Sequence, residues 1–407
     1  MVKTNKNKNR NKKYNKNTKK KNPRLTRAQL IKKINKSFNC NLLNLDMNLK
    51  KIGEGVSNYV LSGCLDTDCK NKLAFRIMGI SNDYVFDETH PVNYEILVYH
   101  KINKLIDNNI NPHAIYLYRS LLCDHQELFR NFDKSITYKI FDGVRKQEIN
   151  KKVKILILEF AKLGTIGSFI NSNINKLIHF KVLFFQVMSM IITLQYYIPN
   201  FIHGDLHSNN TIIQKDLLGY SLKELRSGNK KYVKYRIFEQ NFYIPWYGFS
   251  AKIFDFDLSS SLELKNAKMG EKFVKIHGIT NKPNPVFDYH LFLNALLHDK
   301  NKYDNPNIPQ EVFDFFHQQV PEKYRGWTTQ YSSYGRLTNY KVTGDSENTL
   351  LIPSDIQTPS EVILGHPFFD EFRKLPKDGK VIKVYNSKIP PKNKLKNFKG
   401  YFGMFKN

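Results

Sequence analysis

The stretch FIHGDLHSNNTII, Phe201 to Ile213, places two histidines, an aspartate and a pair of asparagines in one loop between apolar runs. An ordinary turn can be built from Gly, Asn and Pro, so side chains of this kind at this density point to chemistry. Asp205 is followed five residues later by Asn210, and 45 positions beyond that asparagine KIFDFDLSS supplies Asp255. Phosphoryl transfer needs these groups. One carboxylate accepts or orients the proton of the attacking hydroxyl, while a second carboxylate and an amide oxygen hold magnesium on the phosphates of ATP. Asp205 suits the first role; Asn210 and Asp255 suit the second.

The elements that must position these groups fall into two parts. Residues 45–160 read as short strands with one helix: LKKIGEGVSNYVLSGCL, KLAFRIMGI, a helical NYEILVYHKINKLI, then VKILILEFA as a buried strand. Residues 161–374 read as mainly helical, with FDYHLFLNALLHD, PQEVFDFFHQQV and TPSEVILGHPFFDEF as further helices. The last opens on a capping box, with Thr358 as N-cap, Pro359 at the first helical position and Glu361 three residues after the cap. The long apolar run from Val182 to Ile198 is short for a bilayer and is interrupted by Gln186, Ser189, Thr193 and Gln195, so a buried helix is expected and no transmembrane segment. Residues 215–250 read as an insertion, polar at first and then aromatic. If it is peripheral, deleting 216–231 should leave ATP affinity nearly intact.

Composition bounds the rest. The chain has 407 residues, 41% hydrophobic and 13% aromatic, enough for one large core or two adjoining ones. Lys+Arg 64 against Asp+Glu 36 gives a net charge of +28, of which residues 1–37 hold 15 basic groups and no acid. That stretch is Lys/Asn-rich and is expected to be a disordered basic tail. Residues 375–407 read as a second basic tail with spaced aromatics. The first tail reads as a solvating arm and the second as a packing or solvating one, with non-specific contact to nucleic-acid phosphates as the alternative for both; the excess lies in tails rather than in a reading motif, which argues against a dedicated nucleic-acid binder. Cys40, Cys64, Cys69 and Cys123 are too few and scattered for a disulfide scaffold, so reduced thiols are expected. The basic N-terminus has no apolar segment behind it, so the chain is expected to be intracellular and not secreted.

In their order along residues 45–372, these motifs resemble the protein-kinase-like superfamily. IGEGVSNYV is similar to its glycine-rich nucleotide loop, with Gly53 and Gly55 admitting phosphate oxygens and Val60 covering the base. LAFRI stands where the family's strand supplies a lysine, here Arg76, and Glu95 where the family's helix glutamate pairs with that basic residue. ILILEFAKLG resembles the hinge, implying that backbone groups of Glu159 and Ala161 bond the adenine edge. Asp288 in NPVFDYHLF resembles the helix aspartate that braces the catalytic loop, and TPSEVILGHPFF the closing helix. The resemblance implies an α+β, bilobal protein-kinase-like fold, with an N-terminal antiparallel β-sheet lobe carrying one helix and a mainly α-helical C-terminal lobe. It implies ATP and Mg2+ or Mn2+ as cofactors and a protein hydroxyl as acceptor. Usage rich in Lys, Asn, Ile, Tyr and Phe points to an AT-rich genome, and the divergence resembles that of enzymes from large DNA viruses, whose place would be the host cytoplasm or the virion.

The departures from the family pattern define the alternatives. Arg76 is bulkier and differently aimed than an ammonium, and Lys72, four residues earlier on the same strand face, is a candidate substitute. Gly204 replaces an arginine that grips phosphorylated activation loops, so phosphorylation within 258–284 is not expected to be the main switch. Asp257 replaces the glycine of the DFG turn. His207 stands where protein kinases place a lysine, and HGDLHSNN is similar to the aminoglycoside and choline phosphotransferase branch. If the His207 imidazolium stabilises the transferring phosphate, the rate falls as pH rises through the histidine range. Three readings stand: a serine/threonine protein kinase, a pseudokinase that binds nucleotide as a scaffold, and a small-molecule phosphotransferase.

Overall fold

The computed structural model describes residues 25–40, 49–54, 58–124, 152–173, 176–216, 230–270, 284–298, 308–329, 335–339 and 353–387, with a few shorter stretches between them. The expectations for residues 1–24, for Gly55, for 271–283 of the segment after Asp255 and for 388–407 lie outside these residues.

The first element corrects the expected disordered tail over residues 25–37. Helix α1 (Arg27–Ser37) carries a complete capping box between Thr26 and Gln29 and buries Leu30 and Ile34 four residues apart on one face. Arg119 donates to the carbonyls of Asn35 and Phe38 at its C-terminal end, at 3.2 and 2.9 Å. The apolar spacing outweighs the charge of the surrounding lysines.

Strands β1 (Lys50–Glu54), β2 (Asn58–Cys64) and β3 (Lys72–Ile80), helix α2 (Pro91–Asp107), and strands β4 (Leu117–Asp124) and β5 (Lys152–Glu159) follow. The strands form an antiparallel five-stranded sheet in the order β1-β2-β3-β5-β4. Alternation sorts its two faces. Leu73, Phe75, Ile77, Val153, Ile155 and Ile157 pack with Leu30 and Ile34 of α1, while Ala74, Met78, Leu156 and Leu158 pack with α2. Arg76 sits between Ala74 and Met78 on the α2 side, aligned with Val60 on β2 and Leu156 on β5, where an apolar residue would ordinarily go.

Next come α3 (Ile166–Asn173) and α4 (Leu177–Tyr197). Every residue of α4 from Val182 to Leu194 is buried, which is why its apolar surface runs all round. Length and composition alone would let α4 cross a membrane, but 78% of that window is buried inside the fold, as expected for a core helix. Its polar residues join the core through hydrogen bonds: Gln186 Oε1 accepts Ala251 N–H at 2.8 Å, and Asn111 donates to Ser189 Oγ and Thr193 Oγ1 at 3.2 and 3.1 Å.

Parts of the expected insertion and of the expected C-terminal tail, residues 231–245 and 380–386, form one sheet. After β6 (Thr211–Lys215), strands β7 (Lys231–Ile237) and β8 (Gln240–Pro245) form a hairpin whose two turn residues, Phe238 and Glu239, both have positive φ. Strand β9 (Phe249–Ile253) pairs back on β6. Then follow helices α5 (Phe287–His298) and α6 (Gln310–Gln319), the short strands β10 (Thr328–Thr329), β11 (Ser332–Ser333), β12 (Arg336–Asn339) and β13 (Thr349–Leu350), helix α7 (Pro359–Gly365), which carries the capping box read at Thr358, and β14 (Lys380–Asn386). Strand β14 pairs in parallel with β7, giving the order β14-β7-β8, and Val233, Tyr235, Phe242 and Ile244 bury this sheet in the core shared with α4. A strand-rich N-terminal part with its helices thus precedes a mainly helical part, an α+β bilobal kinase-like arrangement.

The cysteines also depart from expectation. Cys40 pairs with Cys123 and Cys64 with Cys69 as disulfides, because β4 brings Cys123 under the end of α1 and a tight turn closes the five-residue separation of the other pair.

Candidate active site

The site is assembled where the two parts meet. Pairing of β6 with β9 aligns Thr211 with Ile253, so Asn210, just before β6, and Asp255, just after β9, leave the same end of the ladder; Phe254 N–H donates to Asn210 C=O at 3.2 Å. Asp255 has φ +70°, a left-handed backbone that a non-glycine residue adopts only when its surroundings hold it there.

The loop carrying Asp205 hangs from α5. Asp288, fully enclosed, accepts the N–H groups of His203 and Gly204 at 2.7 and 3.0 Å. Burial pushes the Asp288 carboxyl up, and these two bonds and His203 oppose that shift. Gly204 has φ +79°, where glycine is the natural choice. His203 is 1% exposed; its Nε2 donates to Phe254 C=O at 3.0 Å and its Nδ1 accepts Asp205 N–H at 3.4 Å. It is a tie between the loop and the end of β9.

Asn210 Nδ2 donates to Asp205 C=O at 2.8 Å and to Asp205 Oδ2 at 3.1 Å. Both amide hydrogens are thereby used, which leaves Asn210 Oδ1 to act as an acceptor or metal ligand. His207 Nδ1 accepts Asn209 N–H at 3.2 Å, and its Nε2 lies 3.5 Å from Asp205 Oδ2. On the other side of the carboxylate, Arg336 Nη2 lies 2.5 Å from Asp205 Oδ1. Burial pushes the Asp205 carboxyl up, but the His207 bond and the Arg336 charge outweigh it and hold the group below its ordinary range.

Across the cleft, one atom joins three side chains. Arg76 Nη1 is 2.7 Å from Glu95 Oε1 and 2.6 Å from Asp255 Oδ1. Burial disfavours the guanidinium charge, yet Glu95 and Asp255 outweigh it and hold Arg76 protonated above its usual range. Burial lifts the Glu95 carboxyl, against the pull of Arg76, and Asp255 and Asp257 push the same way. A single cation thus serves two carboxylates. Arg76 Nε and Glu95 Oε2 are buried without a hydrogen-bond partner among the described residues, and the Asp255 side chain keeps 29% of its surface exposed. Lys72 does not stand in for Arg76: its Nζ lies over the Phe160 ring, 4.2 Å from the centroid.

The remaining positions line the cleft. Gly53 pairs with Val60, and a Cβ added there would meet only Val60 at 3.6 Å, an ordinary contact. Packing therefore does not demand glycine at Gly53. Glu159 N–H donates to Tyr116 C=O at 2.9 Å and its carboxylate lies 3.4 Å from Lys252 Nζ, whereas Ala161 makes no hydrogen bond among the described residues. Asp257, in place of the DFG glycine, has a structural use: it pairs with Lys268 at 2.7 Å and pins the segment after Asp255. That segment also reaches α2 and the turn before it: Ala267 N–H donates to Thr89 C=O at 2.8 Å, and Glu263 pairs with Lys101 of α2.

Hard oxygen donors from Asp255 and Asn210 suit Mg2+, and among the described residues no group of three or more His, Cys, Asp or Glu is arranged to hold a metal without help. Sequence reading missed Arg336, Lys252 and Lys268. The partners of Arg336 and Lys252 lie far away along the chain, Arg336 being 131 residues from Asp205, and although Lys268 is only 11 residues from Asp257 no local pattern marks any of the three.

No protein-family model matches the chain. It is similar to "Putative serine/threonine-protein kinase R400" of Acanthamoeba polyphaga mimivirus, with 25% identity over 348 residues, covering 81% of this chain and 70% of that protein. With the bilobal fold and this arrangement of Arg76, Glu95, Asp205, Asn210 and Asp255, the match supports a likeness to the protein-kinase-like superfamily, divergent and similar to those of large DNA viruses.

Proposed function

We propose that the chain is an ATP- and Mg2+- or Mn2+-dependent serine/threonine protein kinase. The observation that carries this reading is the convergence, from four separate elements, of a carboxylate held on a braced loop and a guanidinium–carboxylate pair facing a second carboxylate and an amide oxygen. Asp205 orients the acceptor hydroxyl and takes its proton. Asn210 and Asp255 hold the metal, which supplies charge neutralisation on the phosphates when bound. Arg76, supported by Glu95, holds the α and β phosphates. Gly53, which packing leaves free to be any small residue, admits the phosphates to the backbone, with Gly55 and Val60 completing the cover. Glu159 and Ala161 offer the hinge. His207 is placed to steady the transferred phosphate.

One observation favours a second reading, a pseudokinase: Arg76 bonds Asp255, a group that must turn to the metal. The experiment that separates the readings is transfer of labelled γ-phosphate from ATP with Mg2+ or Mn2+ to a basic protein and to a panel of small alcohols. Asp205→Ala and Asp255→Ala should each abolish transfer to protein, Asp205→Ala by on the order of a thousandfold. Transfer to small alcohols alone would move the chain to the small-molecule branch. Absence of transfer, with ATP still raising the melting temperature, would make it a pseudokinase.

A further inference from the structure

We propose that Arg336 is a positioning residue of this transfer, clamping the Asp205 carboxylate from a small sheet outside the elements that carry the other site residues; the inference rests on the role of Asp205 given above. Arg336 opens β12. Its Nη2 reaches Asp205 Oδ1 at 2.5 Å and its Nε donates to Gly204 C=O at 3.1 Å, with 11% of the side chain exposed. Asn210 and His207 approach the other oxygen, Oδ2. The carboxylate is therefore gripped at both oxygens, and rotation about its Cβ–Cγ bond breaks contacts on both sides. A guanidinium suits this position because two of its N–H groups meet a carboxylate oxygen and a carbonyl at once, which an ammonium does less well.

The grip is built rather than casual. Leu337, the next residue on β12, is fully buried against Ile202, Val286, Phe287, Tyr324 and Ile356, and Ile202 directly precedes the loop of Asp205. Gly335, the residue before Arg336, has φ +76°, and a Cβ there would meet the Trp327 ring at 3.2 Å. Its N–H donates to Trp327 C=O at 2.8 Å and its own C=O accepts Asn294 Nδ2 at 3.1 Å. Asn294 lies on α5, the helix whose Asp288 holds the backbone of His203 and Gly204. One helix thus anchors the loop that presents Asp205 and the turn that presents Arg336, which fixes their relative position. Holding a reacting group in a single orientation is worth orders of magnitude in rate.

The test uses the full chain with Arg336→Ala, Arg336→Lys and, as a packing control, Leu337→Ala, measuring kcat, KM for ATP and thermal unfolding. Arg336→Ala should lower kcat by about tenfold to a hundredfold with KM for ATP within about threefold of wild type. Arg336→Lys should fall between the two, and guanidinium ion, added well below denaturing concentrations, should restore part of the lost rate to Arg336→Ala but not to Leu337→Ala. A rate unchanged or raised by Arg336→Ala would overturn the proposal, a rise marking Arg336 as a plug on the site. So would a rate loss that tracks lost thermal stability and is not restored by guanidinium, or one carried wholly by KM for ATP. If wild type transfers no phosphate, the kinase reading itself has failed. If wild type transfers and Arg336→Ala equals it, only the clamp is lost.

Discussion

Arg76 shows how one residue can serve both the core and the chemistry. Its neighbours in strand order, Ala74 and Met78, are apolar core residues, and Arg76 itself is only 5% exposed. A charge in such a place survives because Glu95 and Asp255 meet the same nitrogen. Removing one partner strands the other: Arg76→Met should destabilise the fold by about 3–5 kcal/mol, since Glu95 is left buried and unpaired. The double variant Arg76→Met/Glu95→Leu should recover most of that loss while nucleotide binding stays abolished. Urea unfolding of the two singles and the double, beside ATP titrations, checks both parts. Additive losses in the double variant would show that the pair is not the unit described here. The residues of this kind were legible in the sequence because they sit in short contiguous motifs whose order is itself a signal. Arg336 was not, because what makes it a site residue is a contact across 131 positions.

At the scale of elements the same division holds. Strands β3 and β5, helices α2 and α4 and the capping box at Thr358 follow from periodicity and cap chemistry read within a few residues. What escaped were elements whose stability is supplied from far along the chain. Helix α1 looked like part of a lysine tail until β4 gave Leu30 and Ile34 a surface to cover. Strand β14 looked like a basic tail because only its parallel pairing with β7 makes it a strand. Its end is tied three ways: Asn386 N–H donates to Asn109 C=O at 2.9 Å, Ser387 Oγ to Arg236 C=O at 2.6 Å, and Tyr197 OH to Ser387 C=O. A chain ended at Gly379 should therefore lose several degrees of melting temperature, because β7 loses its parallel partner and keeps only β8, and Tyr385 leaves a core it shares with Tyr235. Equal stability of the chain ended at Gly379 would mean that β14 is an ornament of the sheet rather than part of it.

The whole molecule is joined at His113, which lies between α2 and β4 where the chain passes along the boundary of the two parts. Its Nδ1 is 3.0 Å from Ala251 C=O on β9 and 3.0 Å from Ser250 Oγ, and its Nε2 accepts Tyr235 OH of the β7–β8 hairpin at 2.6 Å. All three contacts suit a neutral ring. Burial pushes the His113 imidazole down to about 3, with the Lys252 charge adding to it, and burial pushes His290 on α5 down to about 4. Both values lie below the ordinary 6.5, so the unfolded chain takes up protons that the folded chain refuses. Stability from these two groups is complete above pH 6.5 and declines as pH falls from there towards the folded values, each group removing about 1.4 kcal/mol per pH unit within the window. Burial lowers His90, His100, His179 and His366 as well, and they act in the same sense. Between pH 6.5 and 5 the Glu95 and Asp288 carboxyls, lifted by burial, act in the opposite sense, but they are common to wild type and variant, so the difference in urea-unfolding slope between the two reads the substituted histidine. His113→Gln keeps a neutral polar side chain and should reduce the pH slope by about one proton. An unchanged slope in that variant would remove His113 from the account and leave the junction between β9, the hairpin and the N-terminal sheet without its acid-sensitive link.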